Sequence, residues 1–203
     1  MIGLRTSAEA DNAPSMDPDG RDADLVARAT LGDTQAFALL YRRYLPRVYD
    51  FTASRLATRA EAEDATQTIF LKALHSLHTC RDPEHFAGWL FAIARNVVTD
   101  TYRTGRGPTT SLDDAADLPD PGISPEASAL HAEWARDLDR MRQHCLGASD
   151  RDLLDLRLQG LTDREIAIAL NRSHGAVRTA QHRMVKRLRA CLDRLREASH
   201  VQV

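Results

Sequence analysis

The sequence of 203 residues has few of the features on which catalysis, secretion or membrane insertion depend. Aromatic residues make up only 5% of it, and it has only three cysteines. No apolar run is long enough to cross a membrane, and we find no signal peptide. We also find no glycine-rich phosphate loop and no nucleophile motif. We therefore expect a protein with no catalytic residues, no cofactor and no membrane insertion.

The three cysteines form no C-x-x-C pair and lie far apart, at Cys80, Cys145 and Cys191. A sparse, odd set of cysteines without a signal peptide predicts reduced thiols in the cytoplasm. A metal site is an alternative, because His75, His78 and His85 lie near Cys80. Their spacing matches no standard zinc site, so we expect no metal.

Positive charge is concentrated at the C-terminal end, although the net charge of the chain is only −2. Residues 171–203 contain eight Lys or Arg and two Asp or Glu, a net of +6. This segregation is typical of a local phosphate-binding surface.

Apolar residues recur at three- and four-residue steps, which predicts an all-α protein with two small helical domains. Between them, residues 107–128 contain five acids, no Lys or Arg and four of the eight prolines. Such a segment buries too little apolar surface to fold, so it predicts a flexible acidic linker. We predict a disordered lead at 1–21, an N-terminal bundle at 22–104, the linker at 105–128, a C-terminal domain at 129–197 and a tail at 198–203.

Four helices are predicted in the N-terminal domain, at 22–31, 33–56, 61–77 and 82–103. Pro46 is expected to kink or split the second helix, because proline cannot donate the helical hydrogen bond. On the third helix, Phe70 and Leu74 broaden the apolar face, whereas Asp64 and Gln67 are expected to be exposed. Trp89 lies in the apolar stripe of the fourth helix, which favours core packing over stacking on a nucleic-acid base.

A helix-turn-helix pattern spans residues 162–192. Thr162 and Glu165 have the spacing of a capping box, so a helix is expected to start there. A polar turn follows, and Ser173 is suited to cap a second helix with one apolar and one basic side. A short helix, a tight turn and a basic amphipathic helix are typical of major-groove DNA binding. The alternative for the basic side is a solvated face on a helical bundle.

Three motifs, in order, resemble the extracytoplasmic-function (ECF) group of RNA polymerase sigma factors. AEDATQTIFLKAL resembles the family helix with Asp-x-x-Gln-x-x-Phe. FAGWLFAIARNVVTDTYR resembles the segment F-x-x-W-L-x-x-I-A-x-N-x-x-x-D-x-x-R. DRDLLDLRLQGLTDREIAIALNRSHGAVRTAQHRMVKRL resembles the promoter-reading C-terminal domain, although Ala180 and Gln181 stand where the family usually has Arg and Leu.

The resemblance implies a subunit that binds core polymerase at the β′ clamp helices and β flap, recognises promoter DNA and promotes its opening. It also implies a separate anti-sigma protein. The residues implied for the −35 element are Arg172, Ser173, Arg178, Thr179, Gln181, His182, Arg183, Lys186 and Arg187. Those implied for the −10 element are His78, Arg81, His85, Phe86, Asn96, Asp100 and Arg103. Those implied for polymerase binding are Asp64, Gln67 and Phe70.

Within the −35 set, some side chains are suited to base edges and others to phosphates. The first group is Arg178, Gln181, His182 and Arg183, and the second is Arg172, Lys186 and Arg187. A stand-alone helix-turn-helix regulator shares the C-terminal pattern. It leaves the helix around Asp64 and the acidic linker unexplained. An enzyme with an accessory DNA-binding domain is a third class, for which the chain shows no catalytic motif.

Overall fold

The structure is a computed structural model that describes residues 21–103 and 144–200, apart from the side chains at 192 and 195–200. Within these ranges there are helices and no strands, in agreement with the predicted all-α class. The α-helices are α1 (Asp22–Thr30), α2 (Thr34–Ala53), α3 (Arg59–Ser76), α4 (Phe86–Arg103), α5 (Ala148–Leu158), α6 (Asp163–Ala169) and α7 (His174–His200). The predicted lead except its last residue, the linker and residues 129–143 of the predicted C-terminal domain lie outside the described residues.

The described residues form two compact units. The first contains residues 21–103 and 156–174, and the second contains residues 144–155 and 175–200. Residues 156–174 belong to the predicted C-terminal domain but cluster with the N-terminal helices. The domain boundaries given above stay a prediction.

The core of the first unit lies between α2, α3 and α4. Phe51 and Phe91 meet edge to face in it, with ring centroids 5.4 Å apart. Thr52 is also fully buried, and its hydroxyl lies 3.0 Å from that of Thr66. The two hydroxyls hydrogen-bond to each other where α2 meets α3, so neither is buried without a partner.

Three helices differ from the sequence prediction. Helix α4 begins at Phe86 and not at residue 82, because residues 83–85 form a 3₁₀ helix. Helix α3 begins two residues early, at Arg59, because Thr58 and Glu61 form a reciprocal capping box. Helix α2 is one element that contains Pro46, so the predicted split did not occur. Tyr44 and Val48 are buried on either side of Pro46, and this packing holds the helix together across it.

Helix α6 packs closely against α4 within the first unit. Gly88 makes this approach possible, since a Cβ atom there would lie 2.7 Å from the carbonyl oxygen of Glu165. Arg47 of α2 adds a polar tie, because its Nε donates to the carbonyl of Gln159 over 2.8 Å. The first contact sets how closely α6 approaches α4, and the second holds the backbone just before α6.

The second unit is organised around the inner face of α7. Val177, Met184 and Cys191 recur at every seventh residue and are buried. Arg187 forms an ion pair with Asp150, whose side chain is almost buried. Cys191 is joined to Cys145 by a disulfide, so the prediction of reduced thiols is wrong for these two residues.

The disulfide was missed because its cysteines are 46 residues apart in sequence and only the fold brings them together. Cys80 is free and buried. None of the described helices is long and apolar enough to cross a membrane.

Candidate polymerase and DNA interface

An exposed stripe on α3 carries two of the three residues predicted to bind polymerase. Asp64, Gln67, Leu71 and Leu74 follow one another at steps of three and four residues, so they share one helix face. All four are exposed, and the two leucines retain 57% and 49% of their accessible surface. We call these four residues the α3 stripe. It combines two polar side chains with two apolar side chains that no other described residue buries.

A groove of about 520 Å³ runs between α3 and α4. Lys72 and His75 line it from α3, and Asn96 lines it from α4. A second groove of about 370 Å³ has Asp64 on its α3 side and Asp100 on its α4 side. The grooves therefore bring residues predicted for polymerase and for the −10 element onto adjoining surfaces.

The loop before α4 is held by local contacts. It contains two short 3₁₀ helices, Leu77–Thr79 and Pro83–His85. Nδ1 of His85 lies 2.8 Å from the Asp82 carboxylate, and Nε1 of Trp89 donates to the Thr79 hydroxyl over 3.3 Å. His78 and Arg81, which were predicted to meet the −10 element, are exposed on this loop.

Cys80 anchors the same loop from inside. Burial raises the pKa of its thiol to about 11. The thiol therefore stays protonated at neutral pH and is a poor metal ligand or nucleophile. Within residues 21–103 and 144–200, no group of three or more His, Cys, Asp or Glu side chains is arranged to hold a metal ion.

Three further residues predicted for the −10 element lie on the outer face of α4. Asn96, Asp100 and Arg103 are exposed, and the Arg103 guanidinium lies 3.9 Å from the Asp100 carboxylate. At that distance and exposure the ion pair contributes little to stability.

The local structure before α7 matches the sequence prediction. The Thr162 hydroxyl accepts from the Glu165 N–H over 3.3 Å, and the Glu165 carboxylate accepts from the Thr162 N–H over 2.7 Å. At the other end of α6, Asn171 has a φ of +50° and the Arg172 N–H donates to the Ala167 carbonyl over 2.9 Å. This Schellman-type stop ends α6, and α7 begins directly after Ser173.

Seven of the nine predicted −35 residues lie on α7, and Arg172 and Ser173 lie in the turn before it. All but one of the nine are exposed, and the remaining one, Gln181, is half-buried. The Thr179 hydroxyl donates to the Gly175 carbonyl of the preceding turn over 3.0 Å. Val177 and Met184 are buried on the other side, as the amphipathic pattern predicted.

Comparison with known proteins identifies the family. A family profile described as Sigma-70 region 2 matches residues 40–107. The ECF RNA polymerase sigma factor BldN of Streptomyces coelicolor is 34% identical over 188 residues, which cover 91% of this chain and 68% of BldN. The ECF RNA polymerase sigma factor ShbA of Streptomyces griseus is 36% identical over 183 residues, covering 83% of this chain and 94% of ShbA. The chain belongs to the ECF sigma factors of the sigma-70 family.

The fold comparison agrees with this assignment. The solved structure of CnrH in complex with the cytosolic domain of CnrY aligns with a TM-score of 0.63 and 26% sequence identity. The alignment covers 86% of this sigma factor and 98% of CnrH. The helical architecture predicted from the sequence is therefore shared with CnrH.

Two aromatic residues of the predicted sites lie in the core of this sigma factor. Phe70 is 5% exposed, and its ring packs edge to face against Tyr41 at 4.6 Å. Phe86 is 1% exposed and packs against Tyr44 and Trp89. Both rings are buried in the described structure, so they support the exposed surfaces beside them, and their direct contact with polymerase or DNA stays a prediction.

Sequence reasoning also missed three residues that bear on the sites. Leu71 was not predicted as a site residue and Leu74 was expected to be buried, yet both are exposed on the α3 stripe. The apolar arc of α3 is wider than the surface its neighbours cover, and periodicity alone gives no measure of that cover. Asp150 was missed as well, because its partner Arg187 is 37 residues away.

Proposed function

We propose that this sigma factor binds core RNA polymerase, recognises the −35 and −10 promoter elements and promotes promoter opening, with no catalysis of its own. The observation that carries the proposal is the α3 stripe, which is exposed on the helix that resembles the family's polymerase-binding helix. The factor acts in the cytoplasm, where its polymerase and promoters are.

The α3 stripe is suited to a helical partner such as the β′ clamp helices. Its residues repeat at the period of one helix face, which is how amphipathic helices dock. Leu71 and Leu74 offer apolar surface, and Asp64 and Gln67 offer an acceptor and an amide. The stripe, with these two leucines in place of the buried Phe70, forms the polymerase contact.

The exposed side of α7 is suited to a DNA groove. Arg178 and Gln181 carry the forked donor and amide groups that pair with guanine and adenine edges. His182 and Arg183 extend this surface, and Lys186 contacts a phosphate. The C-terminal domain also meets the β flap, which positions α7 over the −35 element.

The −10 element is recognised by α4 and the loop before it. Extrusion of a base costs a few kcal/mol, so the protein must offer hydrogen bonds to the flipped base and its backbone. Asn96, Asp100 and Arg103 supply such groups on α4, and His78 and Arg81 supply them on the loop. Trp89 serves the loop as a scaffold through its bond to Thr79, not as the stacking ring.

A separate anti-sigma protein restrains the factor. The support is the CnrH structure, in which that sigma factor is bound to the cytosolic domain of CnrY. The exposed α3–α4 grooves and the α3 stripe are surfaces that such a partner would cover to keep polymerase away.

Core binding tests the proposal. Leu74→Asp is expected to weaken capture of core polymerase about ten- to a hundredfold, because burying a leucine contributes about 1.5–3 kcal/mol. Leu31→Asp is the matched control, since Leu31 is 89% exposed and lies at the end of α1. Circular dichroism checks that both variants are folded. Equal capture of core polymerase by the two variants would remove the α3 stripe from the interface.

A further inference from the structure

The disulfide between Cys145 and Cys191 has no part in the function proposed above. Their Cα atoms are 5.8 Å apart, within the range that a disulfide requires. Cys191 is buried on the inner face of α7, and Cys145 is half-buried. The bridge is therefore part of the packing of α7, and its Cys145 side is the more open to reagents.

The bridge encloses the proposed −35 surface. Its two ends are 46 residues apart in sequence. The residues proposed to meet the −35 element, from Arg178 to Lys186, lie between them in sequence. A cross-link of this length removes conformational freedom from the unfolded chain, so it favours the folded form of the segment that it closes.

An ion pair also joins α7 to the segment that contains Cys145. Cys191 and Arg187 are one turn apart on α7, and their partners Cys145 and Asp150 are five residues apart in sequence. Without the covalent tie, the ion pair remains. The Arg187 side chain is 58% exposed, so this pair is expected to hold the helix less firmly than a fully buried pair would.

We propose that Cys145 and Cys191 form a reversible thiol–disulfide switch that controls how firmly α7 is held for DNA binding. The oxidised form holds α7 in place and binds DNA more tightly, and the reduced form binds it more weakly. This inference rests on the proposed function for the role of α7 and for the cytoplasmic location. In a compartment that keeps thiols reduced, a disulfide is transient and suited to sensing.

The chemistry requires a low-molecular-weight thiol and its disulfide. In reduction, the thiolate of the small molecule attacks Sγ of Cys145, and Cys191 leaves as a thiolate that takes up a proton. A second small thiol then cleaves the mixed disulfide. The products are two protein thiols and one small-molecule disulfide, and two electrons pass to the protein. Oxidation is the reverse.

A redox titration of the full chain tests the switch. The protein is equilibrated in buffers with graded ratios of reduced to oxidised glutathione, and the free thiols are counted by alkylation and mass spectrometry. We expect one alkylated cysteine in the oxidised form, Cys80 after denaturation, and three in the reduced form. A chain that forms no internal bridge at any ratio would overturn the proposal.

DNA affinity is then measured for both forms with fluorescein-labelled duplexes of random sequence at low salt. We expect the oxidised form to bind at least about fivefold more tightly, the lower end of typical coupling between sites. Its thermal midpoint is expected to be higher. Equal affinity and equal midpoint in the two forms would also overturn the proposal.

The Cys145→Ser, Cys191→Ser double variant is the control. It should match the reduced parent in both buffers, whereas a redox response that survives in it would assign the effect to Cys80 and overturn the switch. The reduced parent gives the same comparison if the variant does not fold. These readouts need no polymerase, so a redox response without any transcription would support the switch while the proposed function fails.

Discussion

Replacing Arg187 by alanine is expected to destabilise the protein, whereas replacing its neighbour Lys186 is expected to weaken DNA binding alone. The sequence gives both residues the same phosphate-binding role. In the structure, Arg187 pairs with Asp150, and Lys186 is exposed with no ion pair among the residues that the structure describes. The two substitutions therefore test different physical roles on adjacent positions of one helix.

The magnitude follows from the exposure of the Arg187–Asp150 pair. Removing one partner of a fully buried pair costs about 3–5 kcal/mol, and an exposed pair contributes about 0–1 kcal/mol. The Asp150 side chain is 10% exposed and that of Arg187 is 58% exposed, so the pair lies between these limits. We expect Arg187→Ala to cost about 1–3 kcal/mol, which lowers the thermal midpoint by about 2–12 °C for a chain of this size.

Two assays on the full-length chain separate the roles. Thermal unfolding followed by circular dichroism gives the midpoint, and titration of labelled duplex DNA at several salt concentrations gives the salt slope. Lys186→Ala is expected to keep the thermal midpoint and to reduce the salt slope by about 0.9, the amount expected for the loss of one phosphate contact. Arg187→Ala is expected to lower the midpoint and to leave the slope near that of the parent.

A double-mutant cycle with Asp150→Ala checks the cause. The two substitutions should be non-additive by about 1–3 kcal/mol, because either one removes the same pair. An unchanged thermal midpoint for Arg187→Ala, together with a salt slope reduced by about 0.9, would refute the anchoring role. It would show instead that Arg187 contacts a phosphate.

Four other substitutions test three separate parts of the structure. Arg178→Ala and Gln181→Ala should each alter the preference for particular −35 bases, by about 1–3 kcal/mol per lost bidentate contact in a binding-site selection assay; uniform loss of affinity would mean that the reading face is elsewhere. Gly88→Ala should lower the thermal midpoint, because a Cβ atom 2.8 Å from the Glu165 Cα costs about 1–3 kcal/mol of overpacking against about 1 kcal/mol gained in helix propensity; an unchanged or higher midpoint would contradict that close approach. The raised pKa of Cys80, about 11 when folded, keeps the thiol protonated while the unfolded chain ionises near its ordinary value of 9.0. Stability should therefore fall as the pH rises from about 9 to 11, and Cys80→Ala should remove that part of the pH dependence; an unchanged pH profile in the variant would contradict the shift.

Local features of the fold were predictable from the sequence, because neighbouring residues determine them. The capping box of Thr162 and Glu165 and the buried positions Val177 and Met184 needed only spacing and residue type. The same signal was present at Thr58 and Glu61 but was overlooked, which set the predicted start of α3 two residues late.

Features that depend on distant residues were not predictable in this way. The Cys145–Cys191 bridge spans 46 residues and the Arg47–Gln159 bond spans 112. No local pattern indicates that these atoms meet. The exposure of Leu74 belongs to the same class, since it depends on how far neighbouring helices extend over α3.

The candidate site was predictable as a set of surfaces, but not residue by residue. Motif resemblance identified α3, α4 and α7 and most of their exposed polar residues. It also included Phe70 and Phe86, since a family motif does not distinguish a contacting ring from a ring that supports the contact. The exposed fraction of each ring distinguishes the two cases, and that fraction can be known only from the folded structure.

The central claim is that this sigma factor confers promoter-specific initiation on core polymerase. The most direct measurement is run-off transcription with purified core polymerase, the full-length factor and a pool of genomic promoter fragments. We predict transcripts of defined length that require the factor and that are lost with Leu74→Asp but kept with Leu31→Asp. A factor that binds DNA yet yields no transcript with active core enzyme would contradict the claim and favour a stand-alone regulator.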